Sequence, residues 1–358
     1  MEHWWLSTGN ENAAIIGLIR KEIEEHGPVS FARFMEQALY HPEHGYYSSG
    51  RCSIGRKGDY FTNVSVGPLF GQLMMAQFAQ IWEQLGKIND FVIVEHGAHD
   101  GQFARDVLQS AKAYAPDFFE ALRYRIVEPF PILRDRQLQM LESFRKKVEW
   151  RSSLDPFTGI HFSNELLDAM PVRLISGRVE KFVDLQNGAL VFIERAHSNT
   201  TFNQTALEWI DGVAENLDRG YVIAIDYGQW GEEVQRNVQV RTLHRHLDSP
   251  FEQVGHADIT MHVDWASIVD RAKRNGLNVA GFTDQHHFFT GIISTWPDLV
   301  QDRAVNSTGI DRKIKRALQT LLHPEMLGRA FQVLALGKNV DASAVRLAGF
   351  KFAREITP

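Results

Sequence analysis

The sequence predicts an α/β protein organised on one mostly parallel sheet, and three observations carry that prediction. Apolar runs with strand character alternate with stretches at helical spacing along most of the chain, starting at Phe91, Tyr124, Lys147, Gly159, Tyr221, Leu277 and Phe331. Several of these runs stop at a carboxylate or amide, namely Glu95, Glu128, Asn164 and Asp226, at the edge where open α/β sheets bind ligands. Finally, Phe91 to Leu108 reads as a buried strand, a tight loop carrying Gly97 and Gly101, and a helix with Phe103, Val107 and Leu108 on its apolar face. Glycines there let the backbone approach a ligand, and the helix start presents free N–H groups.

The 358 residues, 44% of them hydrophobic, suffice for a large core in one elaborated domain or two. A net charge of -6 without long single-sign runs gives no electrostatic footprint for nucleic acid or an anionic membrane. Cys52 is the only cysteine, which excludes an intramolecular disulfide and fits a reducing compartment; nothing around it marks an activated thiolate. No apolar run approaches the roughly 20 residues of a membrane span. The start, Met1-Glu-His-Trp-Trp-Leu, lacks the features of a leader, so the expected location is cytoplasmic. Composition leaves the oligomeric state open.

In chain order, residues 10–26 and 30–40 read as helices, the second capped by Ser30 and burying Phe31, Phe34, Met35, Ala38 and Leu39. The turn-rich stretch from His41 to Thr62 is too long for a mere connection and reads as a functional loop. A helix from Pro68 to Leu85 follows, stopped by Gly86. After the opening strand–loop–helix come a second strand to Glu128, a helix to about Arg145, a weak third strand at 147–150 and a fourth at 159–164. Phe182 to Ile193 predicts a hairpin around Asn187-Gly188, the dipeptide favoured in type I′ turns. A helix near 204–218 leads to a fifth strand ending at Asp226. Helices follow at about 264–275, 285–293 and 309–322, with strands at 277–282 and 331–336. The resulting division is an N-terminal helical and loop region, 1–88, then a core, 89–340, and a tail, 341–358. The core carries an insertion at about 172–200 and an unassigned polar connection at about 229–262.

The loop after the first strand fails the dinucleotide fingerprint, because counting from Gly97 the third position is His99 and the sixth Gln102. No Gly-Lys-Ser/Thr follows it, so it is no P-loop either. What remains is an acid at the strand end, two glycines, and Glu128 at the next strand end, where a carboxylate can accept both ribose hydroxyls. S-adenosylmethionine suits that set, although strand-end acids and glycines are common in α/β proteins generally.

Motifs along the chain resolve the choice by resemblance. They are Gly27-Pro-Val-Ser, His41-Pro-x-x-Gly-Tyr-Tyr47, Gly58-Asp59-Tyr60-Phe61-Thr62, Phe70-Gly71, Val94-Glu95-x-Gly97, Asn164-Glu165-Leu-Leu-Asp168-Ala-Met-Pro-Val172 and Asp226-Tyr227-Gly228. Ala257-Asp258-Ile-Thr260, Val263-Asp264-Trp265 and His323-Pro324-x-Met326-x-Gly328 complete the set. With these motifs, Gly27 to about Lys338 resembles the MidA-like methyltransferases, a family that includes the mitochondrial complex I assembly protein arginine methyltransferase. The resemblance implies a Rossmann-like class I methyltransferase fold, a seven-stranded mostly parallel sheet with a helical N-terminal extension and an inserted substrate region, and S-adenosyl-L-methionine as cofactor. It implies that Glu95, Gly97 and Gly101 hold the methionine end, Glu128 the ribose, and Gly58, Asp59 and Thr62 the far side. Asn164, Glu165 and Asp168 would face the methyl group. From position alone, Tyr60 suits packing the loop or lining a pocket that binds the acceptor, and Asp226 and Tyr227, after the fifth strand, suit that pocket or capping of the next turn. Two departures stand out: His99 replaces the family's central loop glycine, and Thr62-Asn63-Val64-Ser65 replaces Thr-Ser-Pro-Glu, removing a carboxylate.

Methyl transfer from a sulfonium needs alignment and exclusion of water more than covalent machinery. For an arginine acceptor, Glu165 and Asp168 would orient the guanidinium and help its proton leave. They lie three apart and share a side if a helix starts there; the competing structural reading makes them an acid pair satisfying N–H groups at that helix start. His99 is the candidate general base for a hydroxyl acceptor on a small metabolite. His96 and His99 lack a third ligand at metal-binding spacing, so no metal is expected. The acceptor is therefore read as a protein arginine or, in the alternative, an oxygen or nitrogen of a small metabolite. A third reading keeps the fold in a non-catalytic assembly protein.

Overall fold

A computed structural model of the chain describes residues 9–52, 62–197, 201–230, 237–242, 245–300, 312–341 and 346–353. They belong to two compact units. One comprises Met1–Phe61, Leu167–Glu208 and Val234–His262; the other comprises Thr62–Leu166, Trp209–Glu233 and Val263–Pro358. Helices are α1 (Gly9–His26), α2 (Phe31–Tyr40), α3 (Pro68–Gln84), α4 (Gln102–Tyr114), α5 (Pro116–Ala121), α6 (Pro131–Met140), α7 (Gln204–Asn216), α8 (Trp265–Arg274), α9 (Gln285–Thr295) and α10 (Arg312–Leu322).

The second unit holds the main sheet. Its principal strands are β1 (Phe91–His96), β2 (Leu122–Val127), β3 (Val148–Arg151), β4 (Phe157–Asn164), β5 (Leu217–Gln229), β6 (Asn278–Asp284) and β7 (Phe331–Lys338), in the order β3-β2-β1-β4-β5-β7-β6. All run parallel except β7, which is antiparallel to both β5 and β6. Val263–Asp264 pairs with the end of β5 as an eighth strand, too short to leave a mark on apolar periodicity. The chain winds outward from β1 to β3 and then returns to β4, so the strand order reverses between β1 and β4. That reversal opens a crevice at the carboxyl ends of the two strands, the place where such sheets take ligands.

Strands buried on both faces explain why β1 and β4 read as continuous apolar runs: Phe91, Ile93 and Val94, like Ile160 and Phe162, are fully buried. Phe103 of α4 stacks on Phe162 with ring centroids 4.5 Å apart, and Phe78 of α3 meets both rings edge-on. Hence α3 belongs with the sheet, although the sequence division at residue 88 groups it with the N-terminal region. Residues 346–353, in the C-terminal tail of the sequence division, also pack on this unit. Gln77 Oε1 accepts the Gly349 N–H at 2.8 Å, Gln80 Oε1 accepts the Ala348 N–H at 2.9 Å, and Phe350 is fully buried beside Phe288.

In the first unit, Ser30 caps α2 by accepting the Arg33 N–H at 3.2 Å. The Asn187-Gly188 turn has both residues at positive φ, 52° and 76°, and joins Val179–Gln186 to Ala189–Ala196. That hairpin forms a sheet with Val29–Ser30 and Leu174–Ser176, and Phe192 packs on Phe31 and Phe251. Within the connection at 229–262, Gln239–Thr242 pairs with Arg245–His246 and Asp258–Thr260 in a small antiparallel sheet. No helix among the described residues is long and apolar enough to cross a membrane.

Candidate active site

Four strand ends of the second unit supply the site. At the end of β1, Glu95 is buried and its Oε2 accepts the Tyr124 hydroxyl of β2 at 2.7 Å. Burial pushes its pKa up to about 8; the Tyr124 bond works against that rise, and the nearby Asp100 adds to it. The loop that follows turns through left-handed backbone at Gly97 (φ 84°), His99 (φ 47°) and Gly101 (φ 84°). A side chain at Gly97 would come within 3.1 Å of Leu166 Cδ1, and one at Gly101 within 3.2 Å of Leu141 Cδ1. The loop therefore keeps a glycine-type path even where His99 stands, at a conformational cost that glycine would not incur.

At the end of β2, Glu128 is buried. Its Oε1 accepts the Phe130 N–H at 3.0 Å and its Oε2 the Gln137 Nε2 at 2.9 Å. Burial raises its pKa, against the opposing pull of those two bonds. The same Gln137 Nε2 donates to the His99 carbonyl at 2.8 Å, and Gln137 Oε1 accepts the Trp150 indole N–H at 2.9 Å. Gln137 had no signal in the sequence: it sits within α6, and its side-chain partners all lie outside that helix.

At the end of β4, Glu165 also has left-handed backbone (φ 52°) and donates its N–H to Ile225 O. Its Oε1 accepts the Asn63 backbone N–H at 3.2 Å and Asn164 Nδ2 at 2.8 Å, while Asn63 Nδ2 donates to Asn164 Oδ1 at 3.0 Å. Positive φ forbids the helix start proposed for Glu165 and Asp168, and the chain there makes bends and turns. Both readings that needed that helix are thereby corrected. Asp168 belongs to the first unit, where it is buried and its carbonyl accepts the Met261 N–H.

At the end of β5, Asp226 Oδ2 accepts the Leu166 N–H at 3.0 Å and Oδ1 accepts the Tyr227 N–H at 2.8 Å. This buried carboxylate clamps the β4 turn to β5. The Tyr227 ring packs on Phe331, centroids 4.0 Å apart. Thr62 exchanges hydrogen bonds with Ser65 and opens a short 3-10 turn whose Val64 carbonyl accepts Gln102 Nε2. Gly58, Asp59 and Tyr60 lie outside the described residues. His99 Nδ1 stands 3.9 Å from Asp100 Oδ1. Burial works to raise the Asp100 pKa, but the bond and charge of His99, with the Gln102 N–H and Arg105, outweigh it and hold the carboxyl below its usual range. Among the described residues no group of three or more His, Cys, Asp or Glu can hold a metal ion.

This donor set fits adenosylmethionine: a close-packed loop of left-handed backbone at the switch point, with a buried carboxylate at the end of the neighbouring strand. Comparison with known proteins agrees. A solved COG1565 superfamily methyl transferase from Burkholderia thailandensis, crystallised with S-adenosylhomocysteine, is 28% identical and covers 96% of each chain at a TM-score of 0.86. The Drosophila melanogaster homolog of the mitochondrial protein arginine methyltransferase NDUFAF7 is 25% identical over 91% of this chain and 85% of its own length. The Homo sapiens NDUFAF7 is 24% identical over 93% and 86%. The family of S-adenosyl-L-methionine-dependent methyltransferases matches at residues 73–201 and 179–283, and the chain belongs to that family.

Proposed function

We propose that this methyltransferase acts on an arginine side chain of a protein, with Glu165 orienting the guanidinium. Glu165 carries the reading: a carboxylate at the end of β4, on backbone that costs a non-glycine residue of order 1 kcal/mol, steered by two N–H donors. The relatives named as protein arginine methyltransferases support the choice of acceptor. Gly97, Gly101 and Glu95 are read as the seat of the methionine end, Glu128 as the ribose partner and Thr62 as the far side.

When bound, adenosylmethionine supplies a methyl group on cationic sulfur, open to in-line displacement. The chain's task is alignment. A guanidinium, protonated at neutral pH, makes charge-assisted hydrogen bonds to a carboxylate. The Asn63 N–H and Asn164 amide fix the Glu165 carboxylate plane before the acceptor arrives. Glu165 would take the proton that the acceptor nitrogen gives up as it is methylated. A small-metabolite acceptor is favoured by one observation: Ser65, where the family carries a carboxylate, is tied to Thr62.

Labelled adenosylmethionine incubated with lysate and the enzyme decides between the two. We expect label in the protein pool, recovered as methylarginine, with Glu165→Gln lowering kcat by about 10²-fold. Label confined to small molecules refutes the arginine reading, and full turnover in Glu165→Gln removes that residue from the mechanism.

A further inference from the structure

Gln137 is buried with 0% exposure in a helix whose only other buried residue is Leu133, one turn earlier. A position that served packing alone would take an apolar side chain there, without the need to satisfy an amide. Here the amide is satisfied in only one orientation. The Trp150 indole N–H can only donate, so it must meet Oε1, and that turns both Nε2 hydrogens toward the His99 carbonyl and Glu128 Oε2. One side chain thus ties together the loop after β1, the acid after β2, and β3. The loop rests on it again at Gly101, where an added side chain would come within 3.4 Å of Gln137 Cα.

Resting on the proposed roles of the loop and Glu128 in holding the cofactor, we infer that Gln137 is a positioning residue. It locks the His99 backbone and the Glu128 carboxylate into one preorganised element, so that the methionine and ribose ends of adenosylmethionine are bound as a unit. Trp150 sets the amide's direction, and the left-handed backbone at His99 is what the His99 carbonyl bond restrains. Preorganisation of this kind acts on cofactor affinity and leaves recognition of the acceptor untouched.

The test is calorimetric titration of the full chain with S-adenosylhomocysteine, from pH 6 to 9. Gln137→Met, which keeps length and removes every bond, is expected to weaken binding by about 10- to 100-fold, as loss of a supporting shell does elsewhere. Its KM for the acceptor should stay at the wild-type value. Trp150→Phe, which frees the amide to turn, should weaken binding less, by roughly 3- to 10-fold. Gln137→Glu can still accept from Trp150 but faces the His99 carbonyl and Glu128 with a second carboxylate. Its affinity should fall as pH rises, a slope that mere loss of packing does not produce. Wild-type affinity in both folded Gln137→Met and Trp150→Phe, or a Gln137→Glu profile parallel to wild type, overturns the inference. Glu128→Ala separates it from the reading beneath: unchanged binding there refutes the ribose role itself, whereas weakened binding there with intact Gln137 variants refutes only the positioning role.

Discussion

Glu95→Gln should make the ligand-free protein more stable at neutral pH. The buried Glu95 carboxyl titrates at about 8 in the folded chain against 4.5 for an ordinary glutamate. Its folded pKa is raised, so its contribution to stability is fully present below pH 4.5 and is lost as pH rises toward 8, because only the unfolded chain releases the proton in that window. At pH 7 the rise corresponds to about 3 kcal/mol, and the limit above pH 8 is about 5 kcal/mol, on the order of 1.4 kcal/mol per pH unit. Glutamine stays neutral and its carbonyl still accepts the Tyr124 hydroxyl, so the variant escapes the penalty with little loss of packing. Urea unfolding of both proteins at half-unit steps from pH 4.5 to 8.5 measures the difference. We expect curves that meet near pH 4.5 and diverge to about 2–4 kcal/mol by pH 7–8 in favour of the variant. A difference that stays flat across the range refutes the assignment of a neutral, buried Glu95.

His161 works in the opposite sense. It is fully buried, neither ring nitrogen has a hydrogen-bond partner among the described residues, and the His96 and Trp209 rings lie with centroids 5.8 and 5.4 Å away. Burial holds its pKa well below 6.5 and that of His96 at about 4, so their stabilisation is present above pH 6.5 and lost as pH falls below it. His161→Phe should lose less stability than wild type between pH 7 and 5, by about 1–2 kcal/mol; equal losses in urea titrations exclude the effect. Phe350→Ala should cost about 3–4 kcal/mol in the same assay, because it empties a fully buried site against Phe288 at the C-terminal docking point. A cost below about 1 kcal/mol refutes that segment's place in the core.

Periodicity exposed the frame because each strand and helix states its own face locally. The Ser30 cap, the Asn187-Gly188 turn and the seven principal strands depend on neighbours in sequence, and each appears where those signals lie. Long-range pairing leaves no such trace. Asp226, which the sequence left between a pocket position and a turn cap, uses its carboxylate on the backbone of Leu166 and Tyr227, a choice decided by how β4 and β5 align. Glu165 and Asp168 looked like a helical pair by spacing alone, and one positive φ ended that.

By itself the sequence determined the alternation of strands and helices, the acids at the strand ends and the glycine loop, since these are properties of adjacent residues and their side-chain chemistry. Tertiary structure alone decided the strand order that opens the crevice, the pushed-up Glu95, and the Gln137 amide that joins His99, Glu128 and Trp150. Burial and hydrogen-bond geometry depend on residues brought together from distant parts of the chain, and that convergence is a property of the fold.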